Sequence, residues 1–173
     1  MAVALCVISF ALGKSPFLNA IFAHRMSSLL IGLVSIELFC DHYFFVSPSL
    51  TSTQLSTCSA FYQNVERQPW YTSLITVIPI VIGAIVIFRN IRRTIYDTLS
   101  APLLLVVLGM FVFRIKKYRE LLTVETRASN SVTEGYLRQI ANGHAIIVAL
   151  LVLLLVLQSL AQRKTKMTAK KNA

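Results

Sequence analysis

Charge is scarce in this chain, and most of it has one sign. Charged residues make up 14% of the 173, against roughly a quarter in ordinary globular domains. A water-soluble fold of this length must cover itself with polar groups, so the shortage excludes an ordinary soluble domain. Asp and Glu number 7 against 17 Lys and Arg. A basic excess also suits nucleic acid. Here, however, no basic stripe with interleaved aromatics stands on a polar module, so nucleic acid is not the expected partner. Cysteine is sparse as well. Cys6, Cys40 and Cys58 show no metal or redox spacing, and Cys6 and Cys40 lie in apolar segments where they read as inert packing. No Asn-x-Ser/Thr acceptor exists. GxSxG, GxGxxG and P-loop patterns are missing too, so no enzyme class and no cofactor is indicated.

What the chain has instead is apolar sequence in blocks, with 55% hydrophobic residues. Crossing a bilayer core of about 30 Å takes about 20 such residues as a helix. Barrel strands would alternate every second residue, and these blocks do not. The expected fold is therefore all-α, a polytopic four-helix transmembrane bundle. Its spans run about 27–46, 70–88, 95–113 and 140–160 within a membrane domain of 26–160. Pro79 predicts a kink in the second span. Residues 1–25 are apolar but broken by Lys14 and Pro16. They read as an interfacial or ill-packed segment, with a poorly formed extra span, a signal-like stretch or an extension upstream of Met26 as alternatives. Residues 161–173 form a basic tail.

Between the spans, Ser47 to Ala60 reads as a Ser/Thr-rich loop. Arg89 to Thr94 is a short turn that forces the second and third spans antiparallel. Arg114 to Gln139 is a longer loop, in which Ile115, Tyr118 and Leu122 keep helical spacing as a continuation of the third span. Ser131-Val132-Thr133-Glu134 fits a capping box before the fourth span. Gly83, Ala84 and Gly109 are small enough to let helices approach closely.

Lys and Arg favour the cytosolic side. Placing both termini and the second loop there puts ten basic residues in the cytosol against seven opposite. The chain ends Lys170-Lys171-Asn172-Ala173. Lysines third and fourth from the carboxylate are similar to the dilysine signal that a vesicle coat reads to return membrane proteins to the endoplasmic reticulum.

Polar groups inside a membrane are costly and mark function by default. Glu37 and Asp41 lie four apart and so share a helix face. His42 follows, and Asn142 and His144 open the fourth span at a similar depth. These five are the candidate contact residues. They read either as interhelical hydrogen bonding or as a catalytic or metal cluster. Two histidines without a repeated HxxH or HxxxH spacing favour the former, and no metal is expected.

The C-terminal half resembles the fungal endoplasmic-reticulum packaging chaperones that serve amino-acid permeases. Leu137-Arg138-Gln139-Ile140-Ala141-Asn142-Gly143-His144, followed by apolar sequence to Leu157-Gln158, carries the likeness best. Tyr96 to Ile115, with Gly109 and a basic exit, and the Pro69-Trp70-Tyr71 entry add to it. Residues 1–25 have no counterpart, and the tail is shorter than that family's long charged one. The resemblance implies a membrane chaperone without enzyme activity. Its partners would be nascent polytopic permeases, the lipid bilayer and, through Lys170 and Lys171, a vesicle coat. An accessory subunit of a membrane enzyme or insertion complex, and a small lipid-modifying enzyme, stay open as alternatives.

Overall fold

The computed structural model describes residues 28, 31, 32, 34, 37, 38, 40–47, 50–91, 94–124 and 129–171, and every regular element among them is helical. Residues 1–25 and the reading of them as interfacial lie outside the described residues. The described residues from 28 to 46 are helical, in the place of the first expected span. Then follow α1 (Ser52–Glu66), α2 (Trp70–Asn90), α3 (Ile95–Gly109), a π-helical segment (Met110–Lys116), α4 (Lys117–Val124) and α5 (Asn130–Lys171).

The expected loop at 47–60 is largely helix. Thr51 accepts a hydrogen bond from the Gln54 N–H at 3.3 Å, and the Gln54 side chain accepts from the Thr51 N–H at 3.0 Å. This reciprocal pair is a capping box that starts α1. The Ser56 and Thr57 hydroxyls each donate to the Thr53 carbonyl at 2.9 Å instead of breaking the helix. Leu55, Cys58 and Tyr62 recur at helical spacing and are buried. The Ser and Thr residues on the opposite face conceal that narrow apolar stripe when the stretch is read by composition.

α2 opens at Trp70 behind Pro69 and continues as helix through position 79. It packs against α3. The Thr94 side chain caps α3, accepting from the Asp97 N–H at 3.1 Å and donating to the Asp97 carboxylate at 2.7 Å. Asp97 is thereby a buried part of the cap.

The third helical rod does not stop at Phe113. Buried positions run Asp97, Ser100, Leu104, Val107 in α3 and then Ile115, Arg119, Leu122 beyond the π-helical segment. A plain α-helix keeping steps of three and four would pass from Val107 through Phe111 to Arg114 and Tyr118. The wider π turns absorb about one extra residue. They bring Ile115 and Arg119 inward and leave Arg114 and Tyr118 half-buried.

α5 has 42 residues, and at 1.5 Å per residue it is about 63 Å long, roughly twice a hydrocarbon core. It starts earlier than the expected span, so the long loop at Arg114 to Gln139 is mostly helix. Leu122, Leu137 and Ile140 are buried there at helical spacing and draw both flanks into the bundle. The expected capping box does not form. The Ser131 position lies inside the helix, the Thr133 N–H donates to the Ser129 carbonyl at 3.0 Å, and Glu134 pairs with Arg138 at 2.7 Å. From Leu137 to Ala161 the buried positions follow a three–four rhythm, a continuous seam against α3, the π segment, α4 and α1. The close helix approach falls at Gly143, where an added Cβ would stand 2.5 Å from Ile115 Cδ1. Gly109 meets only Phe113 of its own helical rod, at 3.9 Å from such a Cβ.

Two helical rods among the described residues are long and apolar enough to cross a membrane: Ile95–Val124, with an 18-residue stretch at mean hydropathy 2.1, and Asn130–Thr168, with one at 2.6. Their outward faces are as apolar as the seam. Leu105, Val112, Phe113, Val152, Leu153 and Val156 are all exposed. A helix apolar on every side belongs in lipid when it is not enclosed by protein.

Candidate functional site

A chain of polar side chains ties the first helical segment to α1, α4 and α5. Glu37 and Asp41 come from the first segment, Tyr62 from α1, Arg119 from α4 and His144 from α5. Asp41 is at the centre with no exposure to solvent. One of its carboxylate oxygens accepts from the Tyr62 hydroxyl at 2.5 Å, and the other lies 2.6 Å from His144 Nδ1. The opposite ring nitrogen of His144 lies 2.7 Å from Glu37 Oε2, in ion contact. That same Glu37 oxygen pairs with an Arg119 terminal nitrogen.

Each member is held from a second direction. The Tyr62 hydroxyl also reaches the Glu37 carbonyl at 3.4 Å. The Arg119 guanidinium stands 5.5 Å from the Tyr62 ring centre and 5.7 Å from that of Phe111, within cation–π range. Next to Tyr62, Gln63 donates to the Leu122 carbonyl at 2.9 Å and joins α1 to α4. Burial, and after it the negative charge of Asp41, raises the Tyr62 hydroxyl above its ordinary pKa and keeps it a donor.

Two carboxylates thus face one guanidinium and one imidazole. A protonated imidazole balances the charge, which is what a buried cluster requires, because an uncompensated buried ion costs several kcal/mol. Charge compensation of this kind suits a fixed joint between helices. Among the described residues no group of three or more His, Cys, Asp or Glu side chains is arranged to hold a metal ion.

Of the five residues expected from the sequence, Glu37, Asp41 and His144 meet in this cluster. His42 and Asn142 are exposed and lie outside it. The His42 ring lies against that of Tyr43, with centres 3.9 Å apart and the planes tilted by 38°. Two members, Tyr62 and Arg119, are not among those expected. Tyr62 stands in register with Leu55 and Cys58, a spacing that reveals it once α1 is recognised as helix. Arg119 turns inward only through the π segment, and no local sequence signal marks that.

A second polar joint closes the other end of the bundle. The Gln158 side-chain amide donates to the Ser100 hydroxyl at 2.7 Å, and that hydroxyl donates to the Tyr96 carbonyl at 2.8 Å. Beyond it, α5 remains helical to Lys171, with Arg163, Lys164 and Lys170 exposed.

No curated protein and no solved structure matches the chain. A family model does, over residues 20–171: the SHR3 chaperone family, described as ER membrane protein SH3. The match spans the first helical segment, both rods and all five members of the buried cluster. The chain belongs to this family of endoplasmic-reticulum membrane chaperones for amino-acid permease packaging.

Proposed function

We propose that the chain works as a four-span bundle, with spans about 27–46, 70–88, 95–113 and 140–160 and both termini cytosolic. In this reading it shields nascent permeases in the membrane of the endoplasmic reticulum until they pack. A newly inserted polytopic protein exposes unpaired polar groups and unfilled helix faces in lipid. A small preformed bundle covers such faces by close packing, and it releases the client once the client's own helices compete. Differential affinity for the unpacked state is sufficient, so no nucleotide is needed.

The observation that carries this reading is the pairing of a rigid joint with broad apolar outer faces. Glu37, Asp41 and His144 hold one end of the bundle together with Tyr62 and Arg119. α2 and α3 meanwhile present Val81, Ile85, Phe88 and Leu108 around an open apolar groove. His42 and Asn142, exposed beside the joint, are the polar contacts offered to the client. Lys170 and Lys171, at the end of the basic tail 161–173, return escaped molecules through the vesicle coat.

Purification in mild detergent tests the reading. Several different permeases are expected to co-purify in substoichiometric amounts, fewer of them with an Ile85→Asn/Phe88→Asn variant. One partner at fixed stoichiometry, with no permease, would replace chaperoning with membership of a complex.

A further inference from the structure

The first helical segment and α1 meet at a second point, one residue from Asp41. Cys40 is buried on the segment and Cys58 is fully buried on α1. The Cys58 Sγ lies 3.7 Å from the Cys40 carbonyl oxygen. The two residues are 18 apart in sequence, so the helical hairpin, not local spacing, brings them together. Tyr62 is one turn further along α1 and bonds Asp41 in the same contact.

An isolated buried thiol is ordinary packing. Two buried cysteines whose residues touch, in a protein of the endoplasmic reticulum, are a different case, because the lumen of that compartment is oxidising. The topology proposed for the chain puts the turn between the first and second spans in the lumen, and a bond between these thiols depends on that topology.

We propose that Cys40 and Cys58 are joined as a disulfide in the mature protein, stapling the first span to α1 next to the Asp41–Tyr62–His144 joint. The oxidant is a low-molecular-weight disulfide of the lumen, glutathione disulfide in its simplest form. The Cys58 thiol loses its proton, and the thiolate attacks one sulfur of glutathione disulfide, expelling a glutathione thiolate. The Cys40 thiolate then attacks the mixed disulfide at the Cys58 sulfur and expels the second glutathione thiolate. Two protein thiols are oxidised, one glutathione disulfide is reduced to two glutathiones, and the two protons pass to the leaving thiolates. Exchange proceeds through thiolate. In the packed hairpin, burial first and then the neighbouring Cys40 push the Cys58 thiol up to about 12. The bond therefore forms while the hairpin is still open, and the closed hairpin protects it from reduction.

The test counts thiols in the full-length protein. Membranes are quenched in acid, dissolved in dodecyl sulfate and treated with a polyethylene-glycol maleimide that adds a fixed mass per free cysteine. The proposal predicts one adduct without reductant, at Cys6, and three after reduction. Cys40→Ser and Cys58→Ser are each expected to show two adducts with or without reductant. Three adducts on the unreduced native chain would overturn the proposal. A Glu66→Thr variant, which makes exposed Asn64 a glycan acceptor, reports separately on topology. Glycan addition together with three free thiols sinks the disulfide and leaves the topology standing. No glycan and three free thiols sink both.

Discussion

Arg119 is the residue on which the buried cluster turns. Among the described residues of the cluster its guanidinium is the one permanent cation facing two carboxylates, and it is nearly buried itself. Arg119→Ala leaves Glu37 without that partner, and breaking a buried pair from one side costs about 3–5 kcal/mol. The expected result is a clear fall in the thermal midpoint of the purified protein in mild detergent. An unchanged midpoint would remove the cluster from the stability of the fold. Gly143 makes a different demand, for space. A side chain there collides with the fully buried Ile115, whose Cδ1 would stand 2.5 Å from the added Cβ. Gly143→Val is expected to cost about 1–3 kcal/mol through overpacking. Ile115→Ala in the same molecule should recover much of the loss, because it removes the group that is struck. A double variant no better than the single one would place the strain elsewhere.

At the scale of elements, the π-helical segment decides which face of α4 meets the core. Deleting the exposed Val112 removes the extra residue, so Met110–Lys116 relaxes to α-helix and the residues beyond it keep the faces they have. Arg119 stays on Glu37. The deletion is expected to cost little, and adding Arg119→Ala to it should cost as much as in the native chain. A deletion as costly as Arg119→Ala, with no further loss on combining them, would mean that the π turns do not absorb one residue in this way. This element also marks where reading the sequence stops. Glu37, Asp41 and His144 are legible because a four-residue spacing and intramembrane charge both point at them. The helical continuation past Phe113 is legible in Ile115 and Leu122. The one-residue shift that swaps Tyr118 for Arg119 is not, since nothing local in Met110 to Lys116 calls for it. α1 is hidden by its own composition: its Ser and Thr residues cover the outer face of a helix whose buried stripe is Leu55, Cys58 and Tyr62. Its start is nonetheless written in Thr51 and Gln54, and Thr51→Ala should loosen it by about 1 kcal/mol, seen as faster amide exchange over 52–58.

At the scale of the whole molecule, two polar joints stand at opposite ends of an apolar bundle. One is the Glu37–Asp41–Tyr62–Arg119–His144 cluster, and the other is Ser100 with Gln158. Between them the long helical rods meet through the apolar seam, and their outer faces are apolar too. This arrangement gives a chaperone a fixed register and leaves its sides free for other helices. The basic end of α5 projects past the apolar seam, which stops at Ala161. Lys170→Ser together with Lys171→Ser is expected to shift the protein from reticular membranes toward the Golgi and cell surface, read by fractionation. Unaltered reticular residence would assign retention to the spans instead.

The most direct test is the fate of an amino-acid permease in cells from which this chain has been removed. Native gel electrophoresis of reticular membranes should show the permease retained there as high-mass aggregates. Re-expression of the native chain should restore export to the cell surface, and expression of the Arg119→Ala variant should do so poorly. Normal export of well-packed permeases in the deleted cells would contradict a packaging role for this bundle.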